Sequence, residues 1–532
     1  MKKSKSRFLF IYIIVIIAFV ALLLKLFYMQ CFKYDEYSKV LKNRVSVSGV
    51  VKAPRGSILD RYGRVLAYDV AVKSADSTVN YKRTYVNDSV ASHIIGTIGK
   101  INEDEYARLK NKGYCYNDIV GKQGVERLAE EFLRGKEGID GDFMQGSNVV
   151  LTIDIEMQSV LEKSLERTVK YISETGGYKD GADADSGAAV VIDVHSGEIL
   201  ACASYPTYDI STYGDNYLNL ASDNALPLWN RAVSGTYSPG STFKPLVAIA
   251  ALGTGKITAD EKIDDLGIYT EYEDYRPRCW IWSEQGKTHG ELNVTQAIAN
   301  SCNYFFYEAG KRTGIDEISK YAHKFGLGKT TGTGLLEETQ GMVANPENKK
   351  KITGILNQQG WYGADTLQAS IGQSVNSFTP LQLANYIATL ANGGKRYNLK
   401  LIKSIHSAAD GTLIKEFSSQ VEENISIDKT ALNSVLQGMR DVAEQGSARG
   451  IFAGYPVPIG GKTGTAQVGS RVSNNALFTA FAPFDKPEIA VCVVIEHGVR
   501  GVNAAYVAKD LFDYYFELND EAVSAFNVAS DF

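Results

Sequence analysis

The sequence predicts an α+β protein. An antiparallel sheet is assembled from both ends of a large C-terminal domain with a helical middle, a smaller α/β domain precedes it, and an apolar helix opens the chain. Two pairs of apolar strand patterns, residues 188–193 with 198–203 and residues 476–482 with 489–495, supply the sheet. Between the pairs, apolar residues recur at helical spacing, interrupted by glycine loops. One apolar run near the N-terminus has membrane-spanning length.

In chain order, residues 8–24 carry no charge, and after Lys25 the apolar run resumes to Met29, close to the ~20 residues a bilayer-spanning helix needs. Lys2, Lys3, Lys5 and Arg7 precede it with no acid among them. This predicts a cytoplasmic N-terminus and an extracytoplasmic remainder. A cleaved signal peptide would have a shorter apolar core, about 7–15 residues, and a small-residue cleavage site. Tyr28-Met29-Gln30-Cys31-Phe32 offers no such site. Residues 1–30 are therefore read as a cytoplasmic tail and uncleaved single-pass anchor in the cell membrane, residues 31–145 as a pedestal domain, and residues 146–532 as the domain that carries the chemistry.

Within the pedestal, residues 55–67 read as two short strands around an Asp/Gly-rich turn. Residues 122–134 read as a helix with Val125, Leu128, Phe132 and Leu133 on one face. Residues 149–153 form a strand, and Asp154 caps a helix that runs to about residue 170. Residues 173–187, rich in Gly, Asp and Ser, form a loop, and His195-Ser196-Gly197 is a hairpin turn.

Composition bounds the function. The 532 residues are 44% hydrophobic and 22% charged, an ordinary globular balance with room for several domains. A net charge of -5 gives no footprint for nucleic acid, and no such partner is expected. Six cysteines spread over the chain are too few for a disulfide framework.

Three short elements carry chemistry. Ser241-Thr242-Phe243-Lys244 follows the turn Ser238-Pro239-Gly240 and precedes an apolar helix, with Pro245 tolerated in its first turn. A spacing of three puts Ser241 and Lys244 on one helical face, and a desolvated lysine can take the proton of a serine nucleophile near neutral pH. Ser426-Ile427-Asp428-Lys429 has the same spacing in a polar stretch without that context. Ser301-Cys302-Asn303 lies between two apolar helical runs, which distinguishes it from the other Ser-x-Asn matches at Ser222, Ser374 and Ser473. Lys462-Thr463-Gly464-Thr465 occurs once, in a strand pattern; its cation and hydroxyls suit a carboxylate, and Gly464 permits a substrate backbone beside the strand.

Together and in this order the three resemble the S-x-x-K, S-D-N and K-T-G set of penicillin-binding proteins and class A β-lactamases. The likeness extends to residues 55–67, the hairpin at 188–203, residues 230–244, Ser370-Ile371-Gly372-Gln373, Thr379-Pro380-Leu381-Gln382 and the strand with Lys462. Over essentially residues 1–520 the chain resembles the class B penicillin-binding proteins. That resemblance implies a peptidoglycan D,D-transpeptidase acting in cell-shape maintenance or septation and inhibited by β-lactams. Ser241 would attack the penultimate D-alanyl carbonyl of a D-Ala-D-Ala stem peptide, with Lys244 as its base. Ser301 would relay a proton, and Asn303 would orient substrate and Lys244. Lys462, Thr463 and Thr465 would bind the terminal carboxylate, Gly464 would let the substrate lie beside the strand, and the N–H groups of Ser241 and Thr465 would form the oxyanion hole. The pedestal would dock on a polytopic membrane glycosyltransferase.

Three features depart from the family pattern. The pedestal is short for the elongation type, the chain ends soon after the last strand, and residues 363–366 and Ser374 differ from the usual motifs. The cellular process stays open on these grounds. A class D β-lactamase or β-lactam sensor would share two of the elements but would need no pedestal. A scaffold that only activates the glycosyltransferase would not need the complete set.

The chemistry itself needs no cofactor. Cys279, His289 and Cys302 nevertheless form a zinc-type donor set lacking a fourth ligand, for which Asp274, in the same loop, is the candidate. Their spacing is not a standard finger pattern. A packed Cys279, a turn histidine at His289 or a Cys279–Cys302 disulfide are the alternatives. Some penicillin-binding proteins of this kind bind zinc here, so the resemblance implies a structural zinc ion beside the middle residue of Ser301-Cys302-Asn303.

Overall fold

A computed structural model describes residues 15–28, 33, 53–73, 79–137, 143–176, 181–353 and 360–518. Residues 15–28 are helical, with Ile17, Phe19 and Leu24 exposed; residues 1–14 of the expected anchor lie outside the described residues. No described helix is long and apolar enough to cross a membrane.

The elements that position the site are, in order, β1 (Ile58–Leu59), β2 (Val65–Lys73), β3 (Val79–Tyr85), β4 (Asn148–Leu151), α1 (Ile155–Thr175), β5 (Ser186–Asp193), β6 (Ile199–Tyr205), α2 (Lys244–Gly253), α3 (Val294–Ala299), α4 (Asn303–Thr313), α5 (Pro380–Ala391), β7 (Ile402–His406), β8 (Leu413–Glu416), α6 (Lys429–Glu444), β9 (Gly460–Ala466), β10 (Asn475–Ala482), β11 (Ile489–Glu496) and α7 (Gly501–Tyr515).

The expected α+β core is present. Five antiparallel strands run in the order β6–β5–β11–β10–β9, joining both ends of the large domain. Helices α1 and α7 pack on one another and against β6 and β10, and α5 packs against β5 and β11. Helices on both faces explain why β10 is buried along its whole length and β5 and β11 along nearly all of theirs. Such strands read as continuous apolar runs rather than as alternation. The β5–β6 turn closes on Asp193, whose Oδ1 accepts from His195 N, Ser196 N and Ser196 Oγ at 2.9, 2.8 and 2.7 Å. Asp154 caps α1 by accepting from Glu156 N and Met157 N, and the helix runs to Thr175, about a turn beyond the expected end, where Gly176 stops it at φ 68°.

Two features differ from expectation. Residues 122–134 form two short helices, Gly124–Leu128 and Glu130–Leu133, interrupted at Ala129 (φ -102°, ψ 13°). The break brings Glu126 and Glu130 together on Arg55, each 2.8 Å from its Nη2, and Arg83 Nε reaches Glu126 at 2.7 Å. The expected apolar face is kept, with Val125 and Leu133 in the core and Leu128 and Phe132 packed against it, and a buried ion network is added at the break. Second, the six-stranded sheet β8–β7–β4–β1–β2–β3 crosses the expected boundary at residue 145. Its centre is parallel β1/β4 (Ile58↔Val149), and β4 continues antiparallel into β7 (Leu151↔Ile402). Strands from residues 58–85 and 402–416 therefore share one hydrogen-bonded layer.

Candidate active site

The segment with Ser241, the candidate nucleophile, is a 3-10 turn, Gly240–Phe243, that runs directly into α2. Thr242 Oγ1 donates to Pro239 O at 2.7 Å, and Gly240 N–H donates to Gly372 O at 2.9 Å, so the turn is clamped from within and from the Ser370–Gln373 loop. Ser241 stays half-buried while Lys244, one turn on, has no exposed surface. Ser426 and Lys429, the same spacing elsewhere, are both exposed.

Ser301 and Cys302 form the tight turn between α3 and α4, and Asn303 opens α4. Ser301 adopts φ 52°, unusual for a residue with a side chain. Its N–H donates to Ile298 O at 3.1 Å, and Cys302 N–H donates to Ala297 O at 2.9 Å. Cys302 caps α4 through Phe305 N, and Trp280 Nε1 donates to Asn300 O at 3.1 Å. The turn delivers Ser301 and Asn303 to Lys244, whose Nζ donates to Ser301 O and Asn303 Oδ1, both at 2.7 Å, with Ser301 Oγ at 3.3 Å.

The third element is β9, the edge strand beside β10. Lys462 Nζ lies 2.9 Å from Ser301 Oγ and 3.1 Å from Thr463 O. Ser301 Oγ thus stands between two fully buried lysines. Gly464 serves a close approach within the protein itself. A Cβ there would lie 2.8 Å from both Pro239 O and Thr242 Cγ2. The missing side chain admits the nucleophile turn itself, so the turn and the strand pack as one surface.

Burial pulls Lys244 down to about 8. Burial, with the Lys244 charge second, holds Lys462 well below the ordinary lysine value. Two ammonium groups sharing one hydroxyl out of water cannot both keep their protons cheaply. The site can hold one amine as a base and one as a cation, with a hydroxyl between them.

Residues 187–513 match the family described as "Penicillin binding protein transpeptidase domain", and residues 71–155 match "Penicillin-binding Protein dimerisation domain". The chain is 30% identical to the Acinetobacter baumannii protein named Peptidoglycan D,D-transpeptidase MrdA, over 96% of this chain and 87% of that one. The chain is a class B penicillin-binding protein. It is 32% identical to the Escherichia coli protein of the same name, over 82% of this chain and 71% of that one. Its fold is similar to "Crystal structure of Pseudomonas aeruginosa PBP2 in complex with WCK 5153", with a TM-score of 0.73 at 30% identity over 88% of this chain and 97% of that one. A chain in "Structural coordination of polymerization and crosslinking by a peptidoglycan synthase complex" also gives 0.73, at 25% identity over 96% and 99%. This penicillin-binding protein is a serine-type peptidoglycan D,D-transpeptidase of cell-wall synthesis.

The thiol–imidazole set also comes together in this penicillin-binding protein, with a correction. Asp274 is exposed in the turn between Tyr272 and Tyr275 and does not take part. The carboxylate that joins Cys279, His289 and Cys302 is Asp265, and the four ligand atoms lie within 4.8 Å of one another. His289 Nδ1 is 2.7 Å from Asp265 Oδ2 and 3.6 Å from Cys279 Sγ; Cys302 Sγ is 3.5 Å from Asp265 Oδ2. Cys279 and Cys302 are free thiols with sulfurs 3.9 Å apart, far beyond a disulfide's ~2.05 Å. No sequence signal singled out Asp265. It reaches the cluster because the ladder Ile263–Asp265 with Gly290–Leu292 pairs Asp265 opposite Gly290, beside His289.

Proposed function

We propose that Ser241 is the acyl-accepting nucleophile for a D-Ala-D-Ala stem peptide, and that Lys244 is its base. The observation that carries this is Ser301 Oγ, 3.3 Å from Lys244 Nζ and 2.9 Å from Lys462 Nζ. Neutral Lys244 donates two N–H bonds to Ser301 O and Asn303 Oδ1, which leaves its lone pair to take the Ser241 proton as Oγ bonds to the carbonyl carbon. Backbone N–H groups of Ser241 and Thr465 hold the developing oxyanion. The carbon–nitrogen bond to the terminal D-alanine then breaks, and the leaving amine takes a proton through Ser301 from the lysine pair. An amine from a second stem peptide reverses these steps on the acyl-enzyme. Lys462, Thr463 and Thr465 bind the terminal carboxylate, while Gly464 brings the strand up to the nucleophile. A β-lactam acylates the same serine and stays.

Intact mass after penicillin treatment, followed over time, tests this. A persistent single adduct is expected on the wild type and on Ser426→Ala, and none on Ser241→Ala. An adduct on Ser241→Ala overturns the assignment; rapid adduct loss from the wild type marks a β-lactam hydrolase instead.

Similarity to proteins named MrdA and to a PBP2 structure supports a role in elongation and cell shape, despite the short pedestal. The N-terminal charge pattern and the exposed apolar helix at 15–28 support a single-pass anchor with the catalytic domain outside. The likeness to a chain of a synthase complex supports pairing with a membrane glycosyltransferase through the pedestal.

The Asp265–Cys279–His289–Cys302 set suits a structural zinc. Zinc–sulfur bonds of about 2.3 Å in a tetrahedron put two sulfurs roughly 3.8 Å apart, against 3.9 Å for Cys279 and Cys302. These residues would brace the Ser301 turn through Cys302. Protein purified without a histidine tag is expected to hold near one zinc per chain, lost in Cys279→Ser with a lower melting temperature; metal-free protein of unchanged stability speaks against it.

A further inference from the structure

Neither the chemistry nor the sequence motifs account for Ser447. It lies in the loop between α6 and the short helix Arg449–Phe452, and its Oγ is 2.6 Å from Thr463 Oγ1. The loop is firmly seated. Gly446 N–H donates to Asp441 O at 2.8 Å and Ala448 N–H to Val442 O at 3.0 Å. A Cβ on Gly446 would lie 2.5 Å from Ala299 O, at the end of the helix that leads to Ser301. Ser447 is thus held between the helix that presents Ser301 and the strand that presents Thr463.

A hydroxyl offers one proton and two lone pairs. At 2.6 Å one of the two hydroxyls donates to the other. Were Thr463 the donor, it would face an anion with lone pairs alone. With Ser447 as donor, the Thr463 proton is left free for the anion. Thr465 shows the same logic with no ambiguity of direction. Its Oγ1 accepts from the backbone N–H of Gly501 at 3.1 Å, which leaves its own proton to point elsewhere. Thr463 and Thr465 stand two residues apart on one strand and so share a side of it.

We infer that Ser447 is a positioning residue for the anionic end of the substrate. Its O–H donates to Thr463 Oγ1, so that Thr463 presents a proton, not a lone pair, to the carboxylate. Chained hydrogen bonds of this kind polarise and strengthen one another. The inference rests on the reading of Thr463 as a carboxylate ligand, so the experiment separates the two.

Second-order acylation rates of the full-length protein in detergent are measured with benzylpenicillin and with its methyl ester, which lacks the anion. The wild type is expected to prefer the free acid. Ser447→Ala is expected to reduce that preference about three- to tenfold, through the binding constant rather than the limiting rate, with the ester rate unchanged. Ser447→Thr, which keeps the hydroxyl, is expected to restore it. Thr463→Val must reduce the preference at least as far. An unchanged preference in Ser447→Ala alongside a reduced one in Thr463→Val overturns the relay and leaves the subsite standing. Equal slowing of acid and ester in Ser447→Ala marks a merely structural role and also overturns it. An unchanged preference in Thr463→Val removes the subsite reading and the inference with it.

Discussion

Lys244 and Lys462 place two fully buried amines on one serine hydroxyl. Burial disfavours both ammonium ions, and the Lys244 charge adds to it at Lys462. The consequence is kinetic. Burial pulls Lys244 down to about 8, so with Lys244 as the proposed base the amine is protonated below that pH and cannot accept the serine proton. Penicillin acylation is expected to rise with pH along a limb centred near pH 8, measured as the second-order rate at constant ionic strength. A flat profile between pH 6 and pH 10 would show that the base lies elsewhere. The left-handed backbone of Ser301 is the geometric counterpart. At φ 52° it turns the chain between α3 and α4 so that its carbonyl and its hydroxyl both face Lys244.

Among elements, the contact between β9 and the nucleophile turn decides whether the site is assembled. Gly464 is the position where strand and turn touch. Gly464→Ala forces a methyl against Pro239 O and Thr242 Cγ2, at an overpacking cost of about 1–3 kcal/mol, and displaces the turn that carries Ser241. Acylation is expected to fall at least tenfold while the melting temperature drops only a few degrees; near-wild-type acylation would show that the turn tolerates the shift. Helix α5 illustrates the same economy. Thr379 caps it by accepting from Gln382 N, Gln382 Oε1 accepts from Thr379 N, and Pro380 opens the helix. Gln382 Nε2 then donates to Lys329 O and Gln340 O, both at 2.6 Å. The Thr379–Gln382 motif that supported the family resemblance is a helix start that also ties down two loops.

At the scale of the whole molecule, the pedestal is bonded into the catalytic domain rather than merely linked to it. Ala91 N–H donates to Glu162 Oε1 at 2.9 Å, Ser92 Oγ to Tyr208 O at 2.7 Å, and His93 Nε2 sits 2.8 Å from Pro227 O. The shared six-stranded sheet adds the β1/β4 pairing. Because the proposed chemical residues all follow residue 240, a chain starting at residue 146 is expected to acylate, but with β4 paired only to β7 and its β1 edge exposed. The truncated protein is expected to bind penicillin covalently while melting lower and self-associating on a sizing column. A folded, monomeric truncation of full stability would show that the shared sheet contributes little.

The sequence by itself determined the α+β class, the two hairpins of the central sheet and the three elements that meet at Lys244, because these rest on local period and on short, chemically constrained spacings. The helical face over 122–134 is legible and is buried, but its break at Ala129 is not: the two acids that the break brings to Arg55 pair over some seventy positions, and such pairing leaves no periodic trace. Asp274 was chosen for nearness in sequence, and Asp265 is present because a short β-ladder brings it there. Ser447 carried no motif at all, and only the packing of α6 against β9 and α3 sets it on Thr463. Local chemistry writes itself into adjacent residues, whereas a carboxylate, a hydroxyl or an ion pair delivered from a distant strand or loop becomes visible only when the tertiary structure closes the distance.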